Sequence, residues 1–153
     1  MKFPYFTSRV PVLLSLILLS TLLLSSCNLF VSPYDPLSYE HLTSLKAFHL
    51  KFIDDFTKAE GKEWNDDLMK EQCDNGDLRF REALEYEKEK KRKDKNRENA
   101  IRILHEEFSD NCKLLKDKKG FFGTGFAAEL KNELEANYGY AIEGEVARMN
   151  GPE

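Results

Sequence analysis

CDNGDLRFREALEYEKEKKRKDKNRENAIRILHEEFSDNC, residues 73–112, can form either one long helix or a helical hairpin, and the architecture of the chain depends on which of the two forms. It begins and ends in cysteine, has apolar residues at helical spacing in both halves, and is charged almost without relief over 87–98. A single helix over 78–111 would be about 50 Å long and would hold the two cysteines apart. A turn near residue 95 would instead give two arms of nearly equal length with both cysteines at the open end. The choice depends on whether the cysteines pair.

The amino-terminal residues indicate export into an oxidising compartment. Residues 1–9 carry Lys2 and Arg9 and no acid, and residues 10–24, VPVLLSLILLSTLLL, are almost entirely apolar. This apolar run has the length of a signal-peptide core and is shorter than the roughly 20 residues that span a bilayer. An uncleaved membrane anchor is the alternative interpretation. Export is favoured, and we predict that residues 1–26 are a signal peptide.

Leu24-Ser25-Ser26-Cys27 ends this run and resembles the lipobox of bacterial lipoproteins, in the order aliphatic, small, small, cysteine. The resemblance covers residues 1–28. It implies that Cys27 carries a diacylglycerol, that cleavage precedes it, and that the new amino terminus is acylated. Two or three acyl chains anchor a protein stably to a membrane. Because Asn28 replaces the aspartate that retains such proteins in the inner membrane, the resemblance implies an outer-membrane protein facing the periplasm if the source is Gram-negative.

Export leaves Cys73 and Cys112 as the remaining two cysteines, since the chain has three. Exported proteins seldom keep free thiols, so we predict a disulfide between them, with two unpaired buried thiols as the alternative. A disulfide needs Cα atoms within about 7 Å, which the single long helix does not allow. We therefore predict the antiparallel hairpin.

The composition and apolar spacing of the rest of the mature chain predict helices. With 33% charged residues and only 8 glycines and 5 prolines in 153 residues, the composition suits an all-α domain. Residues 27–37 are expected to be an acylated amino terminus and tether, and residues 38–153 a bundle of about four helices. The pattern predicts one helix over 38–58 and a short second helix over 63–73, which Asn75-Gly76 interrupts. It predicts a third helix over 78–92, followed by the second arm of the hairpin. After a connector over 119–125, it predicts a last helix with apolar residues at four-residue spacing: Phe126, Leu130, Leu134, Tyr138, Ile142, Val146 and Met149.

Chemical motifs are weak. His41 and His49 are eight residues apart and would point some 80° apart on a helix, and "HEEF" from His105 lacks the second histidine of a zinc protease. Asp54-Asp55 and Asp66-Asp67 are expected to be solvated, and "GFFGTG" at 120–125 lacks the lysine of a phosphate-binding loop. We predict no catalytic residue, no metal and no cofactor apart from the lipid on Cys27.

The basic run over 88–97 is the one electrostatic oddity of an acidic chain. Removing residues 1–26 takes away two bases and changes the formal net charge from −4 to −6, which argues against nucleic acid as a partner. The run is either a solvated hairpin tip or a contact with an anionic surface, such as lipid phosphate or an acidic protein. Lys90, Lys91, Arg92 and Lys93 are its candidate contact residues.

A second resemblance concerns the mature chain. The segments "YDPLSYEHLTSLK" at 34–46 and "EYEKEKKRKDKNRENAI" at 85–101 are similar to small bacterial lipoproteins predicted to be helical. This resemblance implies the fold and no activity. The sequence therefore predicts a lipid-anchored, non-enzymatic cell-envelope module that binds the membrane through its acyl chains and also another envelope protein. Alternatives are a small-ligand or metal-binding lipoprotein with a cavity between helices and, third, an enzyme acting on lipid or cell wall.

Overall fold

The computed structural model describes residues 32–57, 63–119 and 123–150, and within them four α-helices and no β-strand. The helices are α1 (Pro36–Phe56), α2 (Asp66–Glu89), α3 (Lys95–Lys118) and α4 (Thr124–Asn150). The all-α prediction of about four helices is confirmed. Cys27 and the signal peptide lie outside the described residues, as do residues 120–122 of the predicted connector. No helix in the described ranges is long and apolar enough to cross a membrane.

The helices run alternately up and down. α1 packs against α2 and α4, α2 packs against α3, and α3 meets α4 along a much shorter stretch. All four contribute apolar side chains to one core. The buried apolar residues of the core are Leu42, Leu45, Phe52, Ile53, Phe56, Met69, Phe80, Ala83, Ile101, Leu104, Phe108, Leu115, Ala127, Leu134 and Tyr138, together with the two cysteines.

α1 has an aromatic-rich buried face, which includes Phe52 and Phe56, and starts two residues before the predicted position. The Asp35 carboxylate accepts hydrogen bonds from the backbone N–H groups of Leu37 and Ser38, at 3.1 and 3.5 Å. Pro36 occupies the first turn, where its missing N–H costs nothing. The last residues of the predicted tether are therefore the cap and first turn of the bundle.

The interruption predicted at Asn75-Gly76 is wrong, because α2 continues through it as one helix. Gly76 is buried, and a Cβ atom built there would lie 2.1 Å from Cζ of Phe108 and 2.8 Å from Cε1 of Phe48. The glycine thus lets aromatic side chains of α1 and α3 reach the backbone of α2. Its role is close packing of helices, which outweighs its low helix propensity.

The hairpin between α2 and α3 is confirmed. Asp94 caps α3 by accepting hydrogen bonds from the backbone N–H groups of Asn96 and Arg97, next to the predicted turn at residue 95. Cys73 and Cys112 are joined by a disulfide, with their Cα atoms 6.1 Å apart. Both are buried. The bridge fixes the register of the two arms.

α4 continues through Gly139 and Gly144 and buries Leu134 and Tyr138 as its pattern predicts. Phe126 and Met149, which were expected on the same face, are 44% and 54% exposed. Phe126 is eight residues before Leu134 and so points about 80° away from it, whereas Ala127, seven residues before, takes the buried position. Met149 belongs to the last turn, at the end of the helix.

Candidate interaction site

A buried polar cluster around Lys90 ties the start of α1 to the end of α2. The Lys90 ammonium lies 2.9 Å from Asp35 Oδ2, 2.6 Å from Glu87 Oε2 and 2.8 Å from Ser38 Oγ. Ser38 donates in turn to Glu87 Oε1, at 2.5 Å. The ammonium thus donates hydrogen bonds to Asp35 and Ser38 and forms an ion pair with Glu87. Lys90 was predicted as a contact residue for an anionic surface. Its side chain is only 13% exposed, however, and its ammonium group pairs with Asp35 and Glu87.

The Asp35 carboxylate is strongly held in its ionised form. Burial opposes this charge, but hydrogen bonds from Lys90 and from the Tyr86 hydroxyl outweigh it and lower the pKa of Asp35 to about 2. The hydroxyl lies 2.9 Å from Asp35 Oδ2. Burial and the same hydrogen bond raise the pKa of Tyr86. The residue that caps α1 is therefore also fixed to α2.

A second cluster joins α3 and α4 around Glu145, which is fully buried. The Arg97 guanidinium binds this carboxylate in a bidentate manner, at 2.5 and 2.6 Å, and donates to the carbonyl of Pro33 at 2.8 Å. Arg148 also binds Glu145 and reaches Asp94 Oδ2 at 2.8 Å. Burial works against the charge of Arg97, but the hydrogen bonds and attraction of Glu145 prevail and raise its pKa. A buried carboxylate is stable here because two guanidinium groups flank it.

Together these clusters define one end of the bundle, which we call the tether end: residues 33–38, 86–97 and 145–148. This end was not predicted from the sequence. A signal was present, since Glu87 follows buried Ala83 by four residues and Glu145 follows buried Tyr138 by seven, so both acids occupy core-facing positions of their helices. Acids at such positions need cationic partners, but the sequence does not say which of the many bases supply them.

Four bases at this end project into solvent: Lys91, Arg92, Lys93 and Lys95, here called the basic loop. Among the described residues none of them has an ion-pair partner. Lys88 pairs with Glu85 at 2.7 Å, and Lys90 and Arg97 belong to the buried clusters. The fold thus divides the basic run into bases that form ion pairs and bases that have no ion-pair partner among the described residues. Of the four predicted contact residues, Lys91, Arg92 and Lys93 are available for an external anion, and Lys95 joins them.

A groove of about 380 Å³ lies between α3 and α4, which pack together over only a short stretch. Leu104 and Ala141 line it, and Arg97 and Glu145 also contribute to its wall. Ile103 and Tyr140 also line it, and they are 55% and 76% exposed. We call it the α3–α4 groove. A more polar groove of about 330 Å³ lies between α1 and α2, beside His41 and Leu78.

The three histidines occupy unrelated environments. His49 lies in the core, with Nε2 3.1 Å from Asn111 Nδ2 and Nδ1 3.4 Å from the Tyr138 hydroxyl. Because the amide nitrogen can only donate, Nε2 accepts and the ring proton resides on Nδ1. Burial lowers the pKa of His49 to about 3. His105 bonds to Asp77 at 2.8 Å, and His41 packs edge-on against Tyr86. The three rings therefore lie in separate parts of the described bundle.

The adjacent acids form surface ion pairs. Asp54 binds Lys131 at 2.6 Å and Asp55 binds Lys51 at 2.5 Å. Asp66 accepts a hydrogen bond from the Trp64 indole at 2.8 Å, and Asp67 is exposed. Within the described ranges, no group of three or more His, Cys, Asp or Glu side chains is arranged to hold a metal ion.

The fold and its surfaces thus define an all-α, antiparallel four-helix bundle with a polar tether end and an open side groove. Comparisons with protein-family models, with curated proteins and with solved structures found no match to this chain.

Proposed function

We propose that this protein is a lipid-anchored, non-enzymatic module of the cell envelope that binds another envelope protein through the α3–α4 groove. The observation that carries the proposal is the contrast between a core filled by aromatic rings and a surface groove whose apolar side chains are exposed. The aromatic core is filled by rings whose centroids lie 5.0 to 5.8 Å apart, whereas the groove leaves Ile103 and Tyr140 largely exposed. Exposed apolar and aromatic groups beside a groove are typical of protein-binding surfaces.

The anchor part of the proposal rests on the lipobox-like residues 24–27. Acyl chains on Cys27 would hold the module at a membrane surface, and Asn28 favours the outer membrane in a Gram-negative source. Cys27→Ser should abolish incorporation of labelled fatty acid and leave unprocessed precursor. The matched control is a Cys73→Ala/Cys112→Ala chain, which loses two cysteines but should still be labelled. Continued labelling of the Cys27→Ser chain would contradict acylation at this position.

The groove is tested by photocrosslinking in intact cells. A photoreactive phenylalanine at Tyr140 should capture a discrete envelope protein, and Ile103→Asp in the same chain should reduce that capture at least tenfold. The control places the photoreactive residue at Leu68, which is 44% exposed on α2. Equal capture from Leu68, or recovery of lipid or a small ligand alone from Tyr140, would count against a protein-binding groove.

A further inference from the structure

We propose that the basic loop contacts anionic phospholipid headgroups of the membrane that holds the anchor, so that the bundle stands on the membrane with its tether end down. This inference rests on the proposed acylation of Cys27 and adds a second, electrostatic contact to it.

The chain enters the bundle at the tether end. The Pro33 carbonyl accepts from Arg97 and the Asp35 carboxylate binds Lys90, so residues 33–35 are fixed beside the hairpin tip. The six residues from Cys27 to Pro33 reach at most about 20 Å when fully extended. A membrane surface bound through Cys27 is therefore within reach of the tether end. The opposite end of α3, at Lys118, is about 35 Å further away along the helix.

The charges at the tether end are distributed unevenly between its interior and its surface. Asp35, Glu87, Asp94 and Glu145 carry four negative charges at this end, and Lys90, Arg97 and Arg148 pair with them and supply three positive charges. These pairs therefore offset no more than one charge of the basic loop. Glu89 is the exposed acid beside the loop, and Glu98 is half-buried in the first turn of α3. The four loop bases still leave a local positive excess on a chain whose formal net charge is −4.

Membrane phosphates fit this surface better than a protein partner does. A flat sheet of phosphates accepts several flexible lysines at once, and each base near such a surface strengthens binding by about fivefold. An acyl anchor combined with a basic patch is a two-signal membrane attachment. Because the screening length is about 8 Å at physiological ionic strength, the contact should weaken steeply with added salt.

The test uses the mature, acylated protein in vesicles of phosphatidylcholine alone or with one-third phosphatidylglycerol. A fluorophore on Asn99→Cys, near the loop, or on Asp117→Cys, at the opposite end, donates energy to an acceptor attached to lipid headgroups. With Cys27 acylated and the other two cysteines bonded, the introduced thiol is the one that reacts. Transfer from position 99 should be at least twice as efficient on anionic vesicles as on neutral ones and should return to the neutral level in 0.5 M salt. Transfer from position 117 should stay low on both.

Two variants remove four charges each from opposite ends. Lys91→Gln/Arg92→Gln/Lys93→Gln/Lys95→Gln should lose the anionic response, and the control, Lys113→Gln/Lys116→Gln/Lys118→Gln/Lys119→Gln, should keep it. Equal transfer on both vesicle types, or the same response in both variants, would overturn the inference while leaving acylation and groove capture intact. If the loop variant kept the vesicle response but lost a protein captured in cells, the loop would belong to an acidic protein partner. Absence of acylation would remove this inference and the anchor part of the proposed function, whereas capture at the groove would still test the binding part.

Discussion

His49 is a neutral, hydrogen-bonded histidine enclosed by aromatic rings. The rings of Phe80, Phe108 and Tyr138 meet it edge-on, with centroids 5.0 to 6.5 Å away. Protonation would place a charge among these rings and would also remove the acceptor that Asn111 uses. This one residue therefore makes the stability of the core sensitive to pH.

The sign of that dependence follows from proton binding. The pKa of His49 is about 3 in the fold and 6.5 ordinarily, so between these values the unfolded chain binds more protons than the folded chain. Stability is thus fully present above pH 6.5 and falls as the pH is lowered. We expect a loss of about 2–3 kcal/mol between pH 7 and pH 4.5, measured by urea denaturation. The pKa of Asp35 falls from 3.8 to about 2, so the stability that it contributes is lost only below pH 3.8.

His49→Gln isolates this effect, because glutamine does not titrate. The variant is expected to be less stable at pH 7 but to lose most of the decline between pH 7 and pH 4.5. His105→Gln, at the half-buried pair with Asp77, is the control and should retain the decline. If His49→Gln kept the same pH slope as the unmodified chain, the buried histidine would not be its source.

At the level of the helices, α2 and α4 both contain interior glycines, but the space around the Cβ position differs between them. Gly76 of α2 has no room for a Cβ atom against Phe108, whereas nothing lies within 4 Å of the Cβ position at Gly139 or Gly144 of α4. In α2 the glycine admits neighbouring side chains. In α4 the two glycines weaken the helix without serving a contact within the described residues.

Gly76→Ala should therefore destabilise the bundle by about 1–3 kcal/mol, because overpacking exceeds the gain in helix propensity. Gly144→Ala should be neutral or stabilising by up to about 1 kcal/mol. Denaturant unfolding of both variants, with the disulfide intact, measures the difference. Equal effects of the two substitutions would contradict the close approach of Phe108 to α2.

On the scale of the whole molecule, the disulfide closes the hairpin that holds half of the core. Cys73 and Cys112 are 39 residues apart in sequence. Cross-linking a loop of this length restricts the unfolded chain and is worth about 4 kcal/mol in the chain-entropy model. Non-reducing peptide mass analysis should find the two residues linked, and reduction should lower the free energy of unfolding by an amount of that order. Two free thiols in the purified protein would contradict the pairing.

The helix content and the hairpin could be predicted because they depend on local signals. Apolar spacing defines the buried face of α1, and the pairing of two cysteines excludes a single long helix. The Asn75-Gly76 prediction failed because a glycine's local effect, helix weakening, was outweighed by close packing against Phe108, which lies 32 positions further along the chain.

The candidate site was predicted only in part, for the same physical reason. The residue types identified the basic run. Because the run was predicted to lie at a hairpin tip, Lys91, Arg92 and Lys93 could be predicted to be exposed. Lys90 and Arg97 carry the same charge, but their acceptors Asp35 and Glu145 lie about 50 residues away in sequence. The α3–α4 groove lies between two helices that are in limited contact, and it has no sequence signal.

Residue order alone was enough to predict the helical segments, the disulfide and the excess of bases at the hairpin tip, since periodicity, cysteine count and charge do not depend on which distant residues meet. Which bases remain exposed, and where the tether joins the bundle, became known only from the fold. Those outcomes depend on pairs of buried charges and on contacts between distant helices, whose free energies are realised only when the chain is folded.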